Sequence, residues 1–543
     1  MIQLEYIPLN KYDEVIEHFD GTVTIPIHKK KRYLYASNLV EDKIYLLNNL
    51  TGCLFSYNFV TKEIYQINKT NRSIWQKCKG IAVINKQILT YNTQLQAFVF
   101  FNLETQLFEK EIIFTKNVES FYIKDSVLLI HLKDEATLLK CYLTNSTITK
   151  ISSFKVKGIG NSSLLVNENS IYITDSEENL IRKYSFDGDL LFEAITPFID
   201  PIGQFFYKED YYIIYGGLVN EVGYENRCWQ EQKPFIHKLK IEVVEDKKYI
   251  TTYTNTFEVE FFYEEKFYED SLKNLTPMTI YLALPIDSEN QKIISITPNG
   301  LPFTIEYKNN LPFAKFTINK EDTDIQSIGY KAILQLRSFK KVVKNETTLK
   351  LSTKDLLSQE EKEYLGCDDP FFRKFIINEN ISDIKKALIL RNEIFKRLEY
   401  KKNIHARNFK EVLEDGYGTC GDYTNLLLIL YNINNISTNS ATGYKIPRFY
   451  NATSGIISVY YNHSWIEIYD SNEKALPLES SSDDKEYKQR FSEGQFLGLD
   501  WTHIKLYNGK AFPNLIYIPT HPQLHPFDIF KKASVFVIVK REV

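Results

Sequence analysis

The sequence predicts a multidomain chain that is mainly β plus α+β, with an N-terminal β-propeller, a middle β-sandwich and a C-terminal α+β domain. Three observations support this prediction. Short strand-like runs recur in units of about 40 residues between residues 40 and 245. Residues 251–340 contain strand-like runs separated by turn residues. Near the C-terminal end, a cysteine at a helix start is followed by a histidine in an alternating strand.

The repeat in the N-terminal half predicts the propeller. Apolar runs align at spacings of 39 to 44 residues, at Ile44–Leu47, Ile88–Tyr91, Val127–Ile130, Ile171–Thr174 and Tyr211–Ile214. A second strand follows each of the first four runs, at Leu54–Tyr57, Phe98–Phe101, Leu138–Cys141 and Leu180–Lys183, and a turn and a third strand come next. This pattern is typical of a β-propeller. Residues 1–245 are therefore expected to form five or six blades, with Thr22–Asn38 as part of a sixth unit or as the closing strand; the alternative is a large irregular β-domain.

The remaining chain is divided into two predicted domains. Residues 246–345 form the β-sandwich, because their strand-like runs include no convincing helix. Residues 346–543 form the α+β domain. The propeller is expected to bind a protein or peptide, although no residue of its channel can be singled out.

Composition excludes several functional classes. Hydrophobic residues make up 43% and charged residues 25% of the chain, as in soluble globular proteins. The net charge is −3, and no basic cluster is interleaved with aromatics, so no nucleic-acid partner is expected. The run His28–Arg32 is interpreted as a solvated turn. No apolar stretch reaches the length of a membrane span, so no membrane association is expected.

The six cysteines show neither CxxC pairing nor metal-ligand spacing. Cys53, Cys78, Cys141, Cys228 and Cys367 are predicted to be reduced and structural, which favours a reducing compartment. Met1–Tyr6 lacks the start of a secretory signal. The chain is thus expected to be cytoplasmic, without a metal or cofactor, and its richness in Lys, Asn and Ile suggests a bacterial source.

Cys420 is predicted to be a nucleophile. Tyr423, Leu426, Leu427 and Leu430 have the spacing of an apolar helix face, which places Cys420 at a helix start after a glycine-rich turn. Unpaired N–H groups at a helix start favour an anion, so they should lower the pKa of this thiol. The same groups could stabilise an oxyanion. The alternative is a small buried hydrophobic residue.

His463 is predicted to be the general base. It opens an alternating strand, Asn462–Tyr469, that has Trp465 and Glu467 on the same face. A base histidine needs a third group to orient it. Glu479, 16 residues later in a strand-like segment, could return beside the imidazole through a hairpin. Four residues compete for this role, and the run from Glu479 to Asp484 could equally be a solvated loop; the competitors are Asp470, Asn472, Asp483 and Asp484.

Together these residues resemble the transglutaminase-like superfamily, which shares its catalytic plan with papain-type cysteine proteases. Gly418–Leu427 is similar to the family pattern G-x-C-x-(D/E)-x-A-x-L-L, and His463–Tyr469 to H-x-W-x-E-(V/I)-Y. Ala475–Glu479 departs from W-x-P-L-D, since it lacks the tryptophan and has glutamate for aspartate. The resemblance covers about residues 350–510 and implies a papain-like α+β fold with a catalytic triad of Cys420, His463 and Glu479.

Segments outside these motifs extend the resemblance. Ser382–Tyr400 resembles the family's long helix, with Ser382 as its cap, and Asn408–Leu413 a short helix before the cysteine turn. His503–Gly509 resembles the strand that closes the domain. Leu284–Ile294 is similar to the LPxDxxxQ opening of the sandwich that precedes many bacterial members, and Asn309–Phe316 would form its next strands.

The resemblance implies a cysteine enzyme that acts on a peptide, a protein or a small amide. The first hypothesis is a hydrolase, a protease, peptidase or amidase, in which water resolves the Cys420 acyl-enzyme. The second is an acyl transferase, in which an amine resolves it. The third is a binding protein that recruits partners through the propeller, and calcium-regulated crosslinking finds no acidic ligand loop. Tyr400, Asn403 and Tyr417 remain open as second oxyanion donors.

Overall fold

The computed structural model of the chain describes fifteen stretches of residues: 16–17, 23–24, 34–49, 51–68, 71–144, 147–216, 235–268, 277–319, 321–322, 324–347, 349–401, 408–446, 456–458, 462–509 and 515–543. Met1–Tyr6, His28–Arg32, Cys228 and Asn403 lie outside these residues. The chain divides into two compact units. The first contains residues 1–176, 183–189 and 198–239, and the second contains residues 177–182, 190–197 and 240–543.

The first unit is a β-propeller built from antiparallel sheets. Its first three sheets have four strands each, at Leu34–Ala36, Lys43–Asn48, Cys53–Asn58 and Ile64–Gln66; at Cys78–Ile84, Gln87–Asn92, Ala97–Asn102 and Phe108–Ile113; and at Val118–Lys124, Val127–Leu132, Thr137–Leu143 and Ile148–Lys155. The fourth sheet begins with the paired strands Asn161–Asn167 and Ser170–Asp175, and Leu180–Ser185 and Leu190–Ile195 come next along the chain. The fifth has three strands, Pro201–Tyr207, Asp210–Tyr215 and Phe235–Lys238. The predicted fold class is confirmed for this part.

The five sheets close into a ring. The first strand of each sheet contacts the first strand of the next, and Pro201–Tyr207 of the fifth sheet returns to Leu34–Ala36 of the first. A side chain at Gly203 would collide with the Ala36 side chain, 2.7 Å from its Cβ, so glycine permits this close approach. The aligned apolar runs of the sequence are the second strands of these sheets. Of the first strands, only Leu34–Ala36 lies in a predicted segment, Thr22–Asn38, and it contacts the fifth sheet where the ring closes.

The centre of the ring is filled. A cavity of about 10 Å³ lies between the first strands of the first four sheets, and its lining is mainly small or polar, with Gly80, Ser120 and Ser162 among the residues. This volume holds about one water molecule, so a peptide does not fit there. A groove of about 570 Å³ between the second and third sheets is larger and includes Lys116, Lys150 and Lys155 in its wall.

The second unit is built on three antiparallel sheets. The long sheet has the strand order Gln291–Gly300, Ser327–Val343, Tyr249–Phe267, Phe530–Glu542 and Ile456–Ser458, and two further strands, Ile241–Glu245 and Gly498–Leu499, pair with it. The second sheet has the order Thr304–Lys308, Leu311–Ile318, Met278–Ala283 and Ile516–Tyr517. The third, the catalytic sheet, has the order Ala475–Leu478, Asn462–Tyr469, Thr438–Lys445 and His503–Asn508.

Short elements complete the described chain. The helices are Arg72–Trp75, Gln359–Leu365, Asp383–Arg397, Phe409–Asp415, Cys420–Ile433 and Pro526–Ile529, with a 3₁₀ helix at Pro370–Phe375. Three two-stranded pairings join Ile16–Glu17 to Val23–Thr24, Glu399–Tyr400 to Tyr417–Gly418, and Glu486–Tyr487 to Arg490–Phe491. Within the described residues, no helix is long and apolar enough to cross a membrane.

The long sheet buries one face. Along Tyr249–Phe267, Phe257, Val259 and Phe261 are fully buried, whereas Glu258 and Glu264 between and beyond them are only partly buried. This alternation has the period of two that a sheet with one buried face requires. The Phe261 ring packs 5.7 Å from that of Tyr444 on the catalytic sheet. The long sheet is therefore the platform on which the catalytic sheet rests.

Two features connect the sandwich strands to the C-terminal segment. Phe530–Glu542, at the end of the chain, pairs along Tyr249–Phe267, so the long sheet contains strands from both sides of the predicted boundary at residue 345. Gln291, the glutamine of the LPxDxxxQ-like segment, binds the edge of the catalytic sheet. Its amide donates to the Lys505 carbonyl (2.9 Å) and accepts from the Lys505 N–H (3.0 Å).

Truncating the buried face of the platform should destabilise the unit. Phe261→Ala removes a fully buried ring and should lower the free energy of unfolding by about 3–5 kcal/mol. The matched control is Phe262→Ala on the opposite face, where the ring stacks on Phe536 at 4.4 Å but is only partly buried. Denaturant unfolding of the full chain measures both, and an equal loss in the two variants would contradict this packing.

Candidate active site

The helix Cys420–Ile433, called the cysteine helix below, begins where the sequence predicts. Gly416 ends the preceding helix in a left-handed conformation (φ 74°), and Thr419 is the N-cap residue. Thr419 and Asp422 form a capping box, in which Thr419 N–H donates to the Asp422 carboxylate (2.8 Å) and Asp422 N–H to the Thr419 hydroxyl (3.4 Å). Cys420 is thus the first helical residue, where backbone N–H groups have no partner within the helix. An anion on its sulfur is favoured there.

The cysteine helix is anchored by its predicted apolar face. Its side chains Tyr423, Leu426, Leu427 and Leu430 are fully buried and share a core with Ile466 and Ile468 of the neighbouring strand. The hydroxyl of Thr424 lies 2.9 Å from that of Ser480 and donates to that of Ser464 (3.2 Å). The helix is therefore held against both the strand that carries His463 and the segment that follows Glu479.

The strand Asn462–Tyr469, called the histidine strand below, has two distinct faces. Ile466 and Ile468 face the cysteine helix. Trp465 packs on the other side with Phe339, Ala441 and Leu499. His463 stacks on Trp465, with ring centroids 6.1 Å apart, which restrains the imidazole plane. The predicted placement of His463, Trp465 and Glu467 on one face agrees with these contacts.

The structure brings Cys420, His463 and Glu479 together. Cys420 and His463 share a side-chain hydrogen bond. His463 Nε2 lies 2.8 Å from Glu479 Oε2, so its other ring nitrogen, Nδ1, is left for the cysteine. Glu479 follows the strand Ala475–Leu478, which pairs with the histidine strand as a hairpin. This is the arrangement of a nucleophile, a base and an orienting acid.

The competing acids all lie elsewhere. Asp470 accepts from the Lys248 ammonium and the Tyr249 hydroxyl, both at 3.0 Å. Asp483 pairs with Arg391 (3.2 Å), and Asp484 accepts from the Tyr423 hydroxyl (2.7 Å), which leaves Glu479 as the acid at the imidazole. The run that follows Glu479 is not a solvated loop, because three of its residues are buried: Ser480, Ser481 and Asp483.

Sequence analysis missed three residues at this site. His503 Nε2 lies 2.6 Å from Glu479 Oε2, the same oxygen that His463 contacts. The other ring nitrogen of His503 lies 3.0 Å from Asp500 Oδ1. The Lys445 ammonium approaches Glu479 Oε2 at 3.5 Å. His503 was recognised only as the start of a closing strand; its pairing with Lys445 across the catalytic sheet, which no local motif encodes, brings it to the site.

Electrostatics favour a thiolate and an imidazolium. Burial opposes the charged form of Cys420, but the hydrogen bond and charge of His463 outweigh it, and the pKa of the thiol is lowered. Burial likewise opposes a charged His463, but the Glu479 charge and the hydrogen bond to Cys420 raise the pKa of this imidazole to about 9. Burial also opposes a charged Glu479, yet the charges of His463 and Lys445 hold the pKa of this carboxyl well below its usual range.

Three of these side chains could in principle hold a metal ion. His463, Glu479 and His503 offer ligand atoms within 4.8 Å of one another. The Lys445 ammonium at 3.5 Å from the shared carboxylate oxygen would repel a cation bound there. The Nε2 atom of His463 and the Nε2 atom of His503 are also both hydrogen-bonded to that oxygen. The donor set therefore fits a hydrogen-bonded ion network better than a metal centre.

The second oxyanion donor is not identified by the described contacts. The Tyr400 ring lies 6.4 Å from that of Tyr423, and the Lys401 ammonium lies over the Tyr417 ring at 4.2 Å. Asn403 is outside the described residues. The backbone N–H of Cys420 is the donor that the helix start provides.

Comparison with known families gives one match. Residues 374–480 match the family model of the transglutaminase-like superfamily. The matched segment includes the cysteine helix, the histidine strand and Glu479. No curated protein matches the sequence.

Three solved structures with low sequence identity illustrate the structural similarity. A proposed cysteine protease from Cytophaga hutchinsonii is 13% identical, with 54% of this chain and 93% of that chain covered and a TM-score of 0.33. Myxococcus xanthus glutaminyl cyclase is 8% identical (33% and 85% covered, TM-score 0.27). Streptogramin B lyase is 11% identical (45% and 80% covered, TM-score 0.25). No functional conclusion is taken from similarity at this level.

Cys420 should be the reactive thiol of the described chain. Its lowered pKa predicts alkylation by iodoacetamide at neutral pH, whereas burial raises the pKa of Cys367 to about 11. Cys367 is buried in the same unit and serves as the internal control. Mass spectrometry of each cysteine over a pH series measures both rates. Equal rates for the two thiols would contradict an ion pair at Cys420.

Proposed function

We propose that this chain is a cysteine-nucleophile enzyme that hydrolyses amide or peptide bonds through an acyl-enzyme at Cys420, and the match of residues 374–480 to the transglutaminase-like superfamily supports this. The observation that carries the proposal is the connected set of Cys420, His463 and Glu479, with Cys420 at a helix start. A protease, peptidase or amidase activity fits this set.

The first half of the reaction forms a thioester. The Cys420 thiolate attacks the carbonyl carbon, and the negative charge moves to the carbonyl oxygen, where the Cys420 N–H stabilises it. The tetrahedral intermediate collapses as the carbon–nitrogen bond breaks. His463 donates its proton to the leaving amine, and Glu479 holds the imidazole in position through Nε2.

The second half releases the acid. Neutral His463 takes a proton from water, the resulting hydroxide attacks the thioester, and the thiolate leaves. Cys420 is partly exposed, whereas the other four described cysteines are buried, and this exposure supports entry of water. If an amine entered instead, the same intermediate would give a new amide, and the enzyme would be an acyl transferase.

Acyl-enzyme formation tests this proposal. 4-Nitrophenyl acetate should acylate Cys420, add one acetyl group to the intact mass and release nitrophenolate. Cys420→Ala should abolish the adduct, and His463→Ala should slow it by about 10²–10⁴-fold. Glu479→Gln should cost less than His463→Ala, since the acid only orients. A wild-type chain that forms no adduct, or an unaffected Cys420→Ala, would contradict the proposal and favour a binding role.

The ratio of acetate to acetylated amine formed from the acetylated enzyme shows whether water or an amine is the preferred nucleophile. Added glycine amide competes with water for the acetylated enzyme, and a hydrolase should give mainly acetate, whereas a transferase should give mainly the acetylated amine. Cys420→Ala controls for the reaction of the ester with free amine. Predominant amide formation at low amine concentration would replace hydrolysis by transfer.

The pH dependence should be bell-shaped. Activity should rise as the Cys420 thiolate forms and fall as pH passes through about 9, where His463 loses the proton that the leaving amine needs. Glu479→Gln removes the charge that raises the pKa of His463, so the alkaline limb should move to lower pH. Rates of hydrolysis of a chromogenic amide over a pH series measure this shift. An unmoved limb would show that Glu479 does not act on His463.

A further inference from the structure

We propose that His503 and Asp500 are positioning residues that extend the triad into a chain of five groups, Cys420–His463–Glu479–His503–Asp500, with His503 held as an imidazolium between two carboxylates. The inference deepens the proposed function and rests on it for its catalytic meaning. Its structural basis is independent, because it depends only on hydrogen bonds behind Glu479.

The first step concerns Asp500. Its Oδ1 accepts from the Thr502 N–H (3.0 Å) and from the Thr502 hydroxyl, and its Oδ2 accepts from the Gln495 amide (3.2 Å). An ionised carboxylate accepts hydrogen bonds and cannot donate. Since each of these three groups donates, this set of hydrogen bonds favours an ionised Asp500, although its residue is only 2% exposed.

The second step concerns His503. One ring nitrogen faces Glu479 Oε2 (2.6 Å) and the other faces Asp500 Oδ1 (3.0 Å). Neutral imidazole has one donor nitrogen and one acceptor nitrogen, whereas the imidazolium has two donors. Because both ring nitrogens face ionised carboxylates, both carry a hydrogen. His503 is fully buried, so a lone pair pointed at either carboxylate would meet no compensating water.

The third step concerns charge order. Along the chain of five groups the charges alternate: thiolate, imidazolium, carboxylate, imidazolium, carboxylate. Each buried charge therefore has an opposite charge as its neighbour, which is the condition for keeping ions in a protein interior. The groups that face His463 are Cys420 from the cysteine helix, Glu479 from the hairpin and His503 from the last strand of the sheet, while Lys445 from the neighbouring strand faces Glu479. The Lys505–Glu467 pair lies on the same sheet.

The fourth step explains why a glutamate needs this support. Glutamate has one more rotatable bond than aspartate, so its carboxylate loses more conformational freedom when it is fixed. Glu479 Oε1 accepts from the N–H groups of Ser481 (3.0 Å) and Ser482 (3.1 Å). On Oε2, His503 holds the same oxygen that His463 contacts (2.6 and 2.8 Å). His503 also places a positive charge near His463, with ring centroids 5.6 Å apart. This charge opposes part of the increase that Glu479 causes in the pKa of His463.

The test compares His503→Gln with the double variant His503→Gln/Asp500→Asn. Glutamine keeps an N–H for Glu479 and removes the charge; the double variant also removes the carboxylate left without its partner, in case the single variant does not fold. His131→Gln in the propeller, another buried histidine, is the matched control and should change neither measurement.

Two readouts separate positioning from simple stability. Acylation by 4-nitrophenyl acetate should fall roughly 10- to 100-fold in both variants. In His503→Gln the titration midpoint of His463, followed by imidazole NMR, should move to higher pH, opposite to the shift expected for Glu479→Gln, because a neighbouring positive charge is removed. The shift should be smaller in the double variant, which also removes the more distant Asp500 negative charge. Wild-type acylation with an unmoved midpoint in a folded variant would overturn the proposal.

Failure of the proposed function can be distinguished from failure of the five-group chain. If wild-type chain forms no acyl-enzyme, that function fails on its own. Nitrogen-15 NMR of the wild-type chain near neutral pH then still decides the charge of His503. Two protonated ring nitrogens support the five-group chain, and one bare nitrogen overturns it.

Discussion

The arrangement of the candidate site depends on one constraint, the buried and charged carboxylate of Glu479, which needs hydrogen-bond donors around it. It is fully buried and charged, and such a group is tolerated only when donors surround it. The donors come from four separate places in the chain: Lys445, His463, the backbone of Ser481 and Ser482, and His503. All four segments must therefore be in register before this charge is stable, and the register that satisfies Glu479 is also the one that aligns His463 with Cys420.

Register in the catalytic sheet is set by a close approach at Gly443. This residue lies opposite His463 on one side and Lys505 on the other. A Cβ at Gly443 would lie 1.8 Å from the Ile504 carbonyl oxygen, so any other residue would force the last strand away. A slip of one residue would turn His463 to the opposite face. The glycine thus permits the spacing that brings His503 to the same carboxylate as His463.

Sequence patterns predicted the elements whose signal is local. The second strands of the propeller sheets are apolar runs, and Cys420, His463 and Glu479 lie in short motifs. Most first strands of the sheets were not predicted, because polar residues such as Ser120, Ser162 and Ser163 face the centre of the ring and shorten the apolar runs of these strands. The role of His503 and Asp500 was not predicted for a different reason. Their role depends on which strands pair, and strand pairing is a property of the whole sheet.

Strands of the long sheet that precede residue 346 position residues of the candidate site, all of which lie in the C-terminal segment. Phe339 and Lys340 pair with Leu499 and Gly498, immediately before Asp500.

The same sheet holds the residue after Asp500. The Trp501 N–H donates to the Ser338 hydroxyl (3.0 Å), and its ring packs 4.4 Å from that of Phe257. On the other side of His503, Gln291 fixes the backbone of Lys505. The strands before residue 346 therefore position both ends of the Asp500–His503 segment, and through it Glu479. Because Phe530–Glu542 also pairs into this sheet, the site is supported by strands that precede it and follow it in the chain. The sandwich strands thus form part of the framework of the candidate site, since they position the segment whose His503 contacts the Glu479 carboxylate.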